Sequence, residues 1–417
     1  MLNLLRDSGR NARLYSSLVA SSEAGVVAFA LVIAVGYWQV DQHVVFLVFF
    51  LLSFLLLIER GPELAVRGGA KVSLFLFLIF LFWLTLSTLW SQTFHLSLAY
   101  AGLIILTGTT AITLGASFGL PRVAQGLTLG VLVIVAHGLL TAVISGGSAF
   151  QAAESSDRGG SVWGLFTNPV GLSVLLGLAS FSFFFGVRRV STGLALGFGL
   201  GLFLLYGIES INILTPKVAL VGCGVVALGL WHLRVSPKRL RPFFSWIYVF
   251  VGSVVGGFFW NYREPVLRAF GEGSDFSGRI VIWESYFEAF LWRPFFGTGW
   301  GSSVGMPPLN RDYLFPVKDW FLAHNGFIDI GIMLGGIGAL FFFVLLFSLF
   351  ITGAKRGTST DYSVRWLFIP VTITYLTLND AMSSLFPRFL GIFLVGLMVG
   401  TLLRESPKNE KFLSKIL

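Results

Sequence analysis

Long apolar runs separated by short polar stretches make up most of the chain. Twelve runs are long enough for helical spans: residues 20–38, 44–58, 72–90, 97–117, 123–145, 165–187, 191–207, 216–231, 243–260, 322–352, 366–382 and 388–403. Run length predicts helices, since a barrel strand needs only about 10 residues and would alternate between apolar and polar. The pattern breaks once, over the roughly sixty residues from Asn261 to Trp320. Within that break, residues 277–292 (SGRIVIWESYFEAFLW) put Ile280, Trp283, Phe287, Phe290 and Leu291 at helical spacing. Arg279, Glu284 and Glu288 fall on the polar side, and Ser277 stands where a cap would. This predicts an amphipathic helix in the membrane interface, a depth that suits Trp283 and Trp292. The chain reads as an all-α integral membrane protein of about 12 transmembrane helices. It forms a single polytopic domain over residues 1–417, with the long loop, residues 261–320, between the ninth and tenth spans.

Composition agrees. Apolar residues make up 55% and charged residues 12%, where a soluble domain carries about 25% charged. No separate soluble domain is legible. Cys223 is alone and lies in an apolar run, so it forms no internal disulfide and no cysteine metal site; it reads as packing. The opening MLNLLRDSGRNARL is basic and weakly amphipathic, with no cleavable signal after it, and reads as a cytoplasmic lead-in on the bilayer surface. The 49 glycines read mainly as sites of close helix packing.

The net charge of +9 does not point to nucleic acid, because the charges follow the loops. With a cytoplasmic N-terminus, twenty of the 29 Lys and Arg residues fall on the inner side and nine on the outer. Only that orientation satisfies the positive-inside rule, and it places both termini in the cytoplasm and the long loop outside. Six of the nine outer cations sit in that loop: Arg263, Arg268, Arg279, Arg293, Arg311 and Lys318. They suggest an anionic, membrane-borne partner.

His324 closes the loop where the tenth span begins. A helix N-terminus favours phosphate, arginines grip it bidentately, and an imidazole can take a proton from a hydroxyl near neutral pH. Taken alone, such a histidine is often structural; the clustered cations favour a base. His43, His95, His137 and His232 stand elsewhere, and no pair of histidines has metal-ligand spacing, so neither a metal nor another cofactor is expected. Three ionisable residues at membrane depth, Lys217, Asp329 and Asp380, are either functional or paired struts. The G-x-G-x-G string at Gly297, Gly299 and Gly301 follows no strand, so it marks no dinucleotide site; it reads as a tight turn.

The string His324-Asn325, nine residues, then Gly335-x-x-Gly338 resembles the signature of the bacterial O-antigen ligase and polymerase superfamily. Ala323-His324-Asn325-Gly326-Phe327-Ile328-Asp329 is similar to its exopolysaccharide polymerase branch. Supporting pieces are Ser277-Gly278-Arg279 with Trp283, Arg293-Pro294 with Gly297 and Gly299, Gly164 to Asn168, and Leu86 with Leu89-Trp90-Ser91. The resemblance implies a GT-C-like membrane glycosyltransferase that works without metal. It would move a glycan from an undecaprenyl-diphosphate donor to a hydroxyl acceptor outside the bacterial cytoplasmic (inner) membrane. His324 would be the base, and Arg279 would hold the diphosphate. Lys217, in Thr215-Pro216-Lys217, would supply a second cation where ligases often carry Arg, and Asp380 stands where relatives often have Glu. Asn325, Arg293 and Asn168 are further substrate-binding candidates, with Arg388 and Arg158 for a second phosphate. The Lys217 string and the Ala323–Asp329 string favour a polymerase, whose acceptor is another lipid-linked glycan and whose candidate protein partner is a chain-length regulator. A ligase acting on a lipid A-core or other surface acceptor is the alternative. A transporter or lipid-linked glycan flippase would gather polar groups at the bilayer midplane, whereas here they gather at the outer face.

Overall fold

The computed structural model describes residues 71–91, 93–118, 214–262, 265, 279–301, 323, 325–360, 362, 364–380 and 389–404. Eight α-helices appear there and, among the described residues, no strand. They are α1 (Lys71–Ser87), α2 (Phe94–Phe118), α3 (Leu214–Val235) and α4 (Arg241–Asn261), then α5 (Arg279–Trp292), α6 (Gly326–Thr358), α7 (Phe368–Asp380) and α8 (Phe389–Arg404). Short 3-10 turns at Thr88–Trp90 and Val364–Leu367 follow α1 and precede α7. Seven of the twelve predicted spans fall on these helices. The runs at 20–38, 44–58, 123–145, 165–187 and 191–207 lie outside the described residues. Among the described residues, four segments are long and apolar enough to cross a membrane: Lys71–Trp90, Ser97–Ala116, Val218–Val235 and Gly326–Thr358; Gly391–Leu403 is a shorter apolar helix.

The chain divides into two compact units, Met1–Phe49 with Phe118–Glu209, and Phe50–Ser117 with Ser210–Leu417; nearly every described residue belongs to the second. In that unit α6 packs against α1, α3, α5 and α7. Helix α8 is buried from Gly391 to Leu403. It meets α2 through small residues, with Gly115 against the Leu397 carbonyl and Gly400 against the Ile112 carbonyl. Such close approach of backbones is how helices associate where lipid is as apolar as the side chains. Helix α4 leaves Phe243, Trp246, Phe250 and Phe258 exposed, an ordinary surface for a helix facing hydrocarbon.

Two arginines assigned to the inner side, Arg234 and Arg241, bind backbone at the far end of α6, and a third, Arg356, packs on an aromatic ring there. Arg234 donates to the carbonyls of Gly357 (2.7 Å), Ser359 (2.6 Å) and Tyr362 (2.9 Å). Arg241 reaches the carbonyls of Thr358, Ser236 and Arg234. The Arg356 guanidinium lies 4.3 Å from the Trp366 ring centre. The last carbonyls of a helix lack internal donors and carry negative partial charge, so cations there stabilise the end.

Candidate functional site

At the opposite end, α6 starts abruptly. Asn325 adopts an extended conformation (φ −146°, ψ 107°), and its Oδ1 accepts from Phe327 N (3.1 Å) and Ile328 N (3.3 Å). This is an N-cap, which satisfies donors that the first helical turn leaves orphaned. The residue before His324, Ala323, is fully buried and held on both sides of its backbone. Its N–H donates to the Asp329 carboxylate at 2.8 Å, and its carbonyl accepts from the Trp283 indole N–H at 2.9 Å. Asp329 is itself buried, and its carboxylate accepts from the Ala323 amide.

Helix α5 supplies the other wall. Tyr286, Ala323 and Ile332 form a buried cluster, with Ile282, Trp283, Phe290 and Ile328 packed against it. Burial first, and then the Asp329 carboxylate, push the Tyr286 phenol well above its usual pKa, so it stays protonated. The predicted helix at 277–292 is present as Arg279–Trp292. Tyr286 and Ala289 are buried, whereas Phe287 and Leu291 are 60% and 57% exposed. In a membrane interface apolar side chains can face either lipid or protein, so apolar spacing alone does not mark the packed face. Glu284 and Glu288 are exposed, as a polar side requires.

Below the mouth, α6 is broken at Gly335, whose φ of 68° and ψ of −177° belong to a region essentially reserved for glycine. The turn Arg293–Gly301 docks into this break. Its Gly297, Gly299 and Gly301 all have positive φ. The broken ladder is repaired from outside. The Ile332 carbonyl accepts from Thr298 N (2.8 Å), the Met333 carbonyl from Gly299 N (2.9 Å), and the Leu334 carbonyl from the Trp83 indole (2.9 Å). On the other side, Gly336 N donates to the Pro294 carbonyl (2.7 Å) and Ile337 N to the Phe295 carbonyl (3.3 Å). An unsatisfied backbone group at membrane depth costs several kcal/mol, and here five have found partners. The end of α1 completes the joint. Ser87 Oγ accepts from Trp300 N at 3.1 Å, the Trp90 indole donates to the Phe296 carbonyl at 3.2 Å, and Trp83 stacks on Phe296. The glycine string is thus the tight turn expected, and the backbone it approaches is that of α6. Three pieces read separately in the sequence, around Trp90-Ser91, Arg293–Gly301 and Gly335–Gly338, form one junction.

The remaining site residues fare unevenly. Arg279 stands at the first position of α5, Lys217 in the first turn of α3 and Asp380 at the last position of α7. Arg293 is exposed and opens the docked turn, its carbonyl accepting from Gly297 N at 2.9 Å. His324, Asn168, Arg158 and Arg388 lie outside the described residues. Among the described residues no group of three His, Cys, Asp or Glu side chains could hold a metal ion. Trp83 and Trp283 were not singled out for their indole donors. The available signal was a tryptophan near a glycine-broken helix or a helix mouth, where orphaned carbonyls need donors.

Among the described residues these features define an all-helical fold, with helices long and apolar enough to cross a membrane and a turn docked on a broken helix. Residues 176–343 match the family model described as O-antigen ligase. The match makes this stretch of the chain similar to that family, in line with the resemblance carried by its motifs. It takes in Lys217, Arg279, Arg293, His324, Asn325 and both motif glycines, Gly335 and Gly338. No curated protein matches the chain.

Proposed function

We propose that the protein is a surface polysaccharide polymerase that transfers a glycan from an undecaprenyl-diphosphate donor to a hydroxyl of another lipid-linked glycan. The observation that carries the reading is the junction of α5 with the mouth of α6. The helix headed by Arg279 binds, through Trp283, the peptide next to His324. In the proposed reaction His324 accepts the proton of the acceptor hydroxyl as that oxygen bonds to the anomeric carbon. The bond from that carbon to the diphosphate breaks, and the leaving undecaprenyl diphosphate keeps the electron pair. Arg279 and Lys217 neutralise its charge, Arg bidentately and Lys as a point charge. Arg293, Asn168 and Asp380 are candidates for binding the sugar and phosphate. Arg388 and Arg158 are candidates for the head of the acceptor lipid. The active site faces outward, with both termini inside.

A ligase is the second reading, favoured by the description of the matching family. The test gives purified protein in nanodiscs a single lipid-diphosphate-linked repeat unit and separates the products by size. A ladder of products supports the polymerase. No extension until a lipid A-core or comparable acceptor is added identifies a ligase instead. Movement of the lipid-linked glycan across vesicles with no transfer overturns both.

A further inference from the structure

We infer that Trp283 and Asp329 are positioning residues that clamp the Ala323 peptide and so fix where the proposed base stands relative to the donor-binding helix. The inference rests on the base assignment of His324 made above. Ala323 is held at both its N–H and its carbonyl, by residues from two different helices, at 2.8 Å and 2.9 Å. Asn325, on the other side of His324 in the chain, is locked as the cap of α6, and its carbonyl accepts from Asp329 N at 3.0 Å. In sequence, His324 stands between these two anchored residues. Helix α5 links this anchor to the donor side: position 279 lies four residues before Trp283, a spacing that shares one helix face. Arg279 and Trp283 thus belong to one rigid element, and the indole bond sets its distance from the residue before His324. Packing alone does not require this arrangement. The Trp283 ring would fill the same space without its N–H, and a carboxylate buried beside the cluster is costly unless it is bonded.

The test is steady-state transfer from an undecaprenyl-diphosphate-linked repeat unit by Trp283→Phe and Asp329→Asn in nanodiscs, with hydrogen exchange of the 323–325 segment measured beside it. A misplacement near 1 Å can cost about 100-fold, so each variant is expected to lose about 10- to 100-fold in kcat. Donor KM should stay within about twofold, since binding of the diphosphate is left in place. Asp329→Asn should also speed exchange of the 323–325 amides without loosening the rest of α6. If Trp283→Phe does not fold, the exchange and kcat of Asp329→Asn decide. Unchanged kcat, or a loss confined to KM, overturns the clamp. His324→Ala separates the two levels. A dead His324→Ala beside a normal Trp283→Phe removes the clamp alone, whereas normal transfer by His324→Ala removes the base and the clamp with it.

Discussion

Replacing Gly335 by alanine should weaken the whole junction, because that residue makes two demands that only glycine meets. Its backbone lies at φ 68° and ψ −177°, where a side chain costs about 1–3 kcal/mol. A Cβ there would also collide with the Phe295 carbonyl and the Phe296 amide, so the turn must back away from α6. Backing away stretches the bonds from Thr298 and Gly299 to the carbonyls of Ile332 and Met333 and those from Gly336 and Ile337 to the turn. Each buried backbone group left unpaired costs about 1–3 kcal/mol. With one or two bonds lost, the total is about 2–9 kcal/mol. At roughly 1 °C per kcal/mol for a chain of this length, Tm should fall by about 2–9 °C. Cys223 provides the assay: it is the only cysteine, 2% exposed, with its Sγ 3.4 Å from the Val371 carbonyl. A thiol-reactive fluorogenic dye therefore reports unfolding directly. Gly102→Ala is the control, since a Cβ there meets nothing within 4 Å on α2, and helix propensity favours Ala by about 0.5–1 kcal/mol. If Gly335→Ala melts within about 1 °C of the parent, the docked turn is not what holds the break.

Two chemical predictions concern the donor. Arg279→Ala and Lys217→Ala should both raise donor KM and lower transfer, and Arg279→Lys should recover only part of the loss, because an ammonium cannot make the bidentate contact; normal turnover by the Arg279 variants would leave that residue an interfacial anchor. Transfer by purified protein should survive excess EDTA, since protein cations are proposed to neutralise the leaving diphosphate. Activity lost to EDTA and restored by Mg²⁺ or Mn²⁺ would contradict that charge stabilisation.

Among the described residues, helix positions were legible because unbroken apolar length is what a bilayer demands: the helix at 71–87 follows its run closely, while the run at 322–352 appears as a helix at 326–358. The break in α6 was not. Glycine leaves the apolar run unbroken, so Gly335 read as part of a motif, with no indication of the turn that repairs it. Which end of the chain's cations do structural work was also hidden. Arg234 and Arg241 counted only as inner-side charge, yet they bind carbonyls more than a hundred residues away. Asp329 was read as either functional or paired, and only the fold shows the Ala323 amide it holds. The amphipathic helix was legible, but which of its apolar residues pack on protein was not, because lipid accepts Phe287 and Leu291 as readily as protein does.

The central claim is His324-dependent glycosyl transfer, and the most direct measurement is release of undecaprenyl diphosphate by folded wild-type and His324→Ala protein given the same lipid-linked glycan. Both proteins should melt alike by Cys223 labelling. Wild type should release the lipid diphosphate in step with glycan product, and His324→Ala should be slower by about 10²–10⁴. Release and product formation by His324→Ala at the wild-type rate would contradict the claim.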